Sequence, residues 1–273
     1  MLNKGMTKKN KLILQISVFI GFIALWWLIT ASGSIREVFL PSPASVVEAF
    51  ISANGCHPVA EGSSRMACGE QNYFLWQHVL ASLQRIGIGV GLALIFGVAL
   101  GFLMGMVEWL YVAVEPGLNF LRSLPPLGYI GLLIVWFGVG DTSKIWLLFL
   151  AAFAPIVLGT ISGVRNTQQD RILAAYTLGA NPFNLLTKVI FPSALPDVLA
   201  GIRLSVGFAW TTVVAAELNN GIPGIGGLAY VSGTQLNTAL TIACIILIGI
   251  AALLLDAVLK WLTKLLVPWQ GKA

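Results

Sequence analysis

The 273 residues are 57% hydrophobic and only 10% charged, whereas a soluble domain carries roughly a quarter charged residues to coat its water-facing surface. A soluble globular fold is therefore excluded. The net charge of +5 is the excess that basic loops leave in a membrane protein, and it gives no reason to invoke nucleic acid.

Uncharged runs cover 12–35, 86–107, 123–140, 145–164 and 218–255, and 198–216 is interrupted only by Arg203. Crossing the hydrocarbon core takes about 20 apolar residues, so the chain is predicted to be all-α, with about six transmembrane helices. The first run follows Lys4, Lys8, Lys9 and Lys11. Its apolar stretch exceeds the ~7–15 residues of a signal peptide, so 12–32 is predicted to be a retained helix. With both termini inside, most basic residues fall in the cytoplasm. Arg36, Arg65 and Lys144 are left in outer loops with Glu37, Glu48, Glu61, Glu70 and Asp141.

The outer segment 33–77 opens on Leu40-Pro41-Ser42-Pro43. Ser42 can cap, Pro43 suits a first turn, and Val46, Val47, Phe50 and Ile51 share a face, which predicts a short surface helix. The stretch 54–71 reads as a loop. It contains Cys56 and Cys68, either two free thiols or a disulfide if the loop faces an oxidising compartment. Cys244 lies in the last apolar run and reads as a small packing residue.

Within the second span, Ala93, Gly97, Gly101 and Gly105 recur every fourth residue and form a smooth stripe for another helix to approach. Pro125 and Pro126 fall early in the third span and Pro155 inside the fourth, where each frees a backbone carbonyl.

The inner loop 165–196 is too polar to span in its middle. Even so, Ile172, Leu173, Ala175, Tyr176 and Leu178 supply apolar residues at helical spacing. Gly179 can end that helix and Asn181-Pro182 can start another, which predicts a helix–turn–helix knob able to dock into a partner's cleft.

This loop resembles the cytoplasmic motif of ABC importer permeases: EAA, three residues, G, nine residues, I, any residue, L-P. The chain has Ala174-Ala175, three residues, Gly179, nine residues, then Val189-Ile190-Phe191-Pro192, with Leu173 in the glutamate's place and Phe191 in the leucine's. Further segments resemble the taurine, aliphatic sulfonate and nitrate branch, taurine permeases above all, over about 75–271. They include Leu75-Trp76-Gln77-His78, Ala81-Ser82-Leu83 with Arg85, Arg122-Ser123-Leu124-Pro125-Pro126, Trp136-Phe137-Gly138-Val139-Gly140, Gly201-Ile202-Arg203, Val214-Ala215-Ala216-Glu217 and Pro268-Trp269-Gln270-Gly271.

The resemblance implies a MetI-like type I ABC importer permease fold, as one permease domain over 1–273 with its core at about 78–262. It implies a bacterial inner-membrane location and a small anionic or zwitterionic solute, taurine or a related sulfonate, with nitrate as the alternative. Its partners would be ABC ATPase subunits holding ATP and Mg, a periplasmic or lipid-anchored solute-binding protein, and a second permease chain in a homodimer. Leu173, Ala174, Ala175, Gly179 and Pro192 would form the ATPase-coupling loop.

The residues offer no catalysis of their own. No P-loop motif occurs, neither His57 nor His78 belongs to a metal cluster, and no cofactor or catalytic set is discernible. The run Gly221-Ile222-Pro223-Gly224-Ile225-Gly226-Gly227 has no lysine, and reads as an outer turn or re-entrant segment with neither a strand before it nor a helix after it. Charges in a membrane mark function or pairing. Arg85, Arg203, Glu217 and Asp256 are thus either ion-pair partners or solute contacts. Trp210, Thr211 and Thr212 either pack or line a pathway. A proton-coupled transporter working through Glu217 or Asp256 is the rival reading.

Overall fold

The computed structural model describes residues 7–58 and 66–269. Lys4, Glu61, Arg65, Gln270, Gly271 and Lys272 lie outside the described residues. The chain divides into two compact units, one of 1–75 with 228–246 and one of 76–227 with 247–273.

The first unit holds α1 (Lys8–Ala31), α2 (Pro43–Ser52) and a two-stranded hairpin. Ser42 caps α2 by accepting the Ser45 N–H at 3.1 Å, and Pro43 occupies the first turn. The Trp26 indole donates to the Pro41 carbonyl at 3.1 Å, which ties α1 to the start of α2. The stretch expected to be a plain loop contains β1 (Cys56–Pro58) paired antiparallel with β2 (Met66–Cys68). Cys56 stands opposite Cys68, and the two are joined as a disulfide with their Cα atoms 4.0 Å apart. Three-residue strands are too short to show alternation, so only the two cysteines mark them.

In the second unit, α3 (Leu75–Met106) is followed by α4 (Glu108–Ser123), a 3₁₀ turn (Pro126–Gly128) and α5 (Ile130–Phe137). The span expected over 123–140 is therefore not one helix. Residues 108–123 and 126–137 form a pair bent by 99°. Leu124 precedes a proline and takes the extended conformation that proline imposes on its predecessor (φ −76°, ψ 125°). Next come α6 (Asp141–Arg165), α7 (Gln169–Thr177), α8 (Pro182–Leu185), a π-helical turn (Leu186–Ile190) and α9 (Phe191–Ala216). Pro192 has no N–H to donate to the Lys188 carbonyl, and the ladder widens into that π turn just before it. Helices α10 (Ile225–Thr234) and α11 (Thr238–Leu266) complete the described elements and are divided between the units, 228–246 belonging to the first.

Among the described residues, five helical stretches are long and apolar enough to cross a membrane: residues 9–31, α3, α6, residues 182–216 and α11. The bent pair makes up to six, in keeping with the expected count.

The glycine stripe on α3 is a packing seam. A Cβ on Gly97 would lie 3.0 Å from the Ile156 side chain, one on Gly101 2.5 Å from that of Thr160, and one on Gly105 2.7 Å from that of Val164. The register rises on both helices, so α3 and α6 run parallel. On another face of α6, a Cβ on Gly159 would lie 2.9 Å from Gly201 Cα, and one on Gly163 2.6 Å from the Ala194 carbonyl, so α9 runs antiparallel. Where lipid is as apolar as the core, this close van der Waals approach supplies the cohesion that water supplies elsewhere. Ile86, Val90 and Ala93 of α3, Leu148, Ala152 and Ile156 of α6, and Ala209, Trp210 and Val213 of α9 form the main core.

Candidate functional site

Two arrangements lie at opposite ends of the α6–α9 pair. At the end carrying Arg165 and Phe191, α7 and α8 make the knob expected from the sequence. Helix α7 closes with both Schellman hydrogen bonds, from Ala180 N–H to the Ala175 carbonyl (3.0 Å) and from Gly179 N–H to that of Tyr176 (2.9 Å). This closure requires φ +77° at Gly179, a left-handed conformation that costs side-chain-bearing residues about 1–2 kcal/mol. Asn181 caps α8 by accepting the Asn184 N–H at 2.8 Å.

Ala175 and Leu185 are buried with Ile190, Ala194, Val198 and Val164 and root the knob. Ala174 and Gly179 are exposed, as are the large apolar side chains of Leu173, Tyr176, Leu178 (88% exposed) and Phe183 (71%). Pro192 sits half-buried where α9 begins. Bulky apolar groups grouped on a polar loop mark a surface for a partner.

At the other end a buried charge cluster binds three helices. Arg85 of α3 meets Glu217 with Nη1 to Oε1 at 2.6 Å, and its Nε meets Asp141 Oδ1 at 2.9 Å. Lys144, one turn into α6, reaches Asp141 at 3.4 Å and donates to the Asn220 carbonyl at 2.6 Å. Glu217 also accepts from Ser82 Oγ (2.7 Å) and Gly226 N–H (2.8 Å). The Ile225 N–H donates to Ser82 Oγ at 3.0 Å, and the Gly224 N–H donates to His78 Nδ1 at 3.1 Å.

Arg85, Lys144 and Glu217 are 5%, 3% and 1% exposed. Their charges balance with that of Asp141, and buried ions persist only when paired and hydrogen-bonded in this way.

This geometry corrects two expectations. Lys144, expected in an outer loop, is buried inside α6. The glycine run 221–227, expected to have no helix after it, leads into α10, which starts within it at Ile225. The run winds around Glu217: a Cβ on Gly221 would lie 2.2 Å from the Glu217 carbonyl oxygen, and one on Gly224 2.6 Å from its side-chain carboxyl carbon. The peptide between Ile222 and Pro223 is cis.

The remaining residues singled out from the sequence stand apart. Arg203 pairs with Asp256 at 2.6 Å, and Lys260 joins the same carboxylate at 2.7 Å. Trp210 packs in the core, and its buried Nε1 has no acceptor among the described residues. Thr212 is buried, while exposed Thr211 donates to the Phe208 carbonyl on its own helix at 2.9 Å. Sequence reasoning misses Asp141, Lys144, Ser82 and His78 as cluster members. Their only local signal is the Asp141–Lys144 spacing of three, which places both on one helical face.

Helices long and apolar enough to cross a membrane, with an apolar knob rooted between two of them, define a multi-pass membrane protein. The chain belongs to the family described as binding-protein-dependent transport system inner membrane component, whose sequence model matches residues 93–272. It is 37% identical over 262 residues to the taurine transport system permease protein TauC of Escherichia coli (strain K12), covering 94% of this chain and 91% of that one. It is 31% identical to the bicarbonate transport system permease protein CmpB of Synechococcus elongatus, covering 96% and 92% respectively. Among solved structures, the inward-facing MetNI methionine ABC transporter superposes with a TM-score of 0.62 at 20% identity, over 72% of this chain and 99% of that one. An amino acid ABC transporter crystallised with histidines gives 0.55 at 16% identity, over 71% and 92%. These last two share the MetI-like permease fold.

Proposed function

We propose that the chain is the permease subunit of an ATP-driven ABC importer carrying taurine or a related small sulfonate across a bacterial inner membrane. The knob carries this reading, because the coupling-motif positions Leu173, Ala174 and Gly179 lie on its exposed face while Ala175 roots it. The substrate assignment rests on the likeness to TauC across nearly the whole chain.

In this reading both termini and the 165–196 loop face the cytoplasm, where each knob enters a cleft of an ATPase subunit. That subunit holds ATP and Mg and performs the hydrolysis. A solute-binding protein delivers cargo to the opposite face, and a second copy of this chain completes the pathway. When the ATPase subunits close, the knobs draw together. Because α8, the π turn and α9 are continuous from Pro182 to Ala216, that motion passes directly into a membrane-crossing helix.

Reconstitution of the chain with its ATPase subunit and binding protein in liposomes tests the proposal. Labelled taurine should accumulate only with ATP and be insensitive to an uncoupler. Uptake without ATP that an uncoupler abolishes would establish the proton-coupled alternative. The likeness to CmpB favours bicarbonate as the second candidate cargo, and ATP-dependent bicarbonate uptake with no taurine uptake would select it.

A further inference from the structure

Arg122, near the end of α4, pairs with no carboxylate among the described residues. Its depth follows from α4. Glu108, at the start of that helix, forms an ion pair with Arg165 at the end of α6, and Arg122 shares a groove with Pro155. Helix α4 therefore runs antiparallel to α6. Pro155 lies roughly 21 Å from one end of α6 and 15 Å from the other at 1.5 Å per residue, so Arg122 sits near mid-span. An unpaired cation at that depth is costly unless it serves a solute or ion path.

The groove has a volume of about 720 Å³ and lies among α4, α6 and α9. Gly159 and Gly201 meet along it, and Pro155 and Phe208 line it. Besides Arg122 it holds one other charge, Asp197, which lies toward the knob end of α6 beside Gly163, where its Oδ2 accepts a 3.4 Å contact from the Asn166 amide, and which pairs with no cation among the described residues. The groove thus presents one cation and one carboxylate that do not pair with each other, between otherwise small or apolar walls.

Resting on the permease reading above, we propose that this groove, which runs from mid-span toward the knob end of α6, is a solute subsite for a small zwitterion. Arg122 receives the oxyanion head and Asp197 the ammonium. The guanidinium fork can donate two charge-assisted hydrogen bonds to a sulfonate, and the second Asp197 oxygen can accept from an ammonium. Neither charge is held in an ion pair among the described residues, so both are ready to engage a passing solute. Two contacts are enough to select it and few enough to let it leave.

The test uses the complete complex of permease, ATPase subunit and binding protein in proteoliposomes, measuring labelled taurine taken up per ATP hydrolysed. R122Q and D197N should keep binding-protein-stimulated ATPase activity while the ratio falls about tenfold or more, and R122K, which keeps the charge but not the fork, should lose less than R122Q and more than D197E. Unchanged ratios in R122Q and D197N would overturn the subsite and leave the permease reading intact. If R122Q instead dissociated the two permease copies, Arg122 would belong to their interface and the inference would fall. A wild-type complex with no ATP-dependent sulfonate uptake would remove the substrate reading and this inference together.

Discussion

Arg85 Nη1 lies 2.6 Å from Glu217 Oε1, a buried contact between residues 132 positions apart. Removing Glu217 leaves the buried Arg85 with Asp141 alone and the cluster with one uncompensated positive charge, a loss that in buried pairs reaches about 3–5 kcal/mol. Glu217→Leu and Arg85→Met should therefore each lower the stability of the detergent-solubilised protein by up to that order. Replacing both residues together, Arg85→Met with Glu217→Leu, should cost clearly less than the sum of the single changes. Denaturant unfolding of the singles and the double decides it, and strictly additive losses would show that the two charges do not act as a pair.

The α3–α6 seam yields a contrast between glycines. Gly101→Val must push a β-branched group into Thr160 and the Val157 carbonyl, whereas Gly249 has open space where a Cβ would go. Overpacking of this kind costs about 1–3 kcal/mol or more. Gly101→Val should reduce thermal stability markedly, and Gly249→Ala should leave it unchanged or slightly raised. Equal melting temperatures for the two variants would refute the seam.

At the knob, a Cβ on Gly179 would meet nothing within 4 Å, so backbone strain alone penalises substitution. Gly179→Asn, which tolerates left-handed φ, should preserve transport, while Gly179→Val should lower uptake per ATP in the reconstituted complex without preventing membrane insertion. Under the proposed function this separates conformation from bulk. Equal loss in both variants would mean that added volume, not φ, disrupts docking.

The Cys56–Cys68 bridge closes a short loop, for which chain-entropy arguments give about 3 kcal/mol of local stabilisation. Mass spectrometry of a peptide spanning the hairpin should show a gain of two hydrogens on reduction. Protein isolated under thiol trapping with both cysteines alkylated would disprove the bond. Cys56→Ser should leave taurine transport near wild type, since the hairpin belongs to a different unit from the knob and the charge cluster.

How much can be read from the sequence depends on the distance along the chain over which each feature is built. The knob is legible because its determinants are neighbours: Ala175, Gly179, Asn181 and Pro182 specify a helix end and a new start within eight residues. The α3 stripe is legible because helical periodicity places 97, 101 and 105 on one face. The charge cluster is hidden because residues 82, 85, 141, 144, 217 and 226 meet only in the folded chain. Asp141 and Lys144 follow Gly138 and Gly140, and so resemble loop charges when a helix in fact begins there. The bend after α4 is half visible. Pro125 and Pro126 announce it, but Glu108, Glu115 and Arg122 hide the preceding helix from a search for uncharged runs.

The glycine seams and the Glu217 cluster together limit how the second unit can deform. Helices α3, α6 and α9 touch backbone to side chain or backbone to backbone along their length and are riveted at one end by ions. Sliding one helix past another would drive Cα atoms into carbonyls. Such close packing resists shear, so a push on the knob end would be carried along the three helices to the ionic end rather than absorbed by slippage between them.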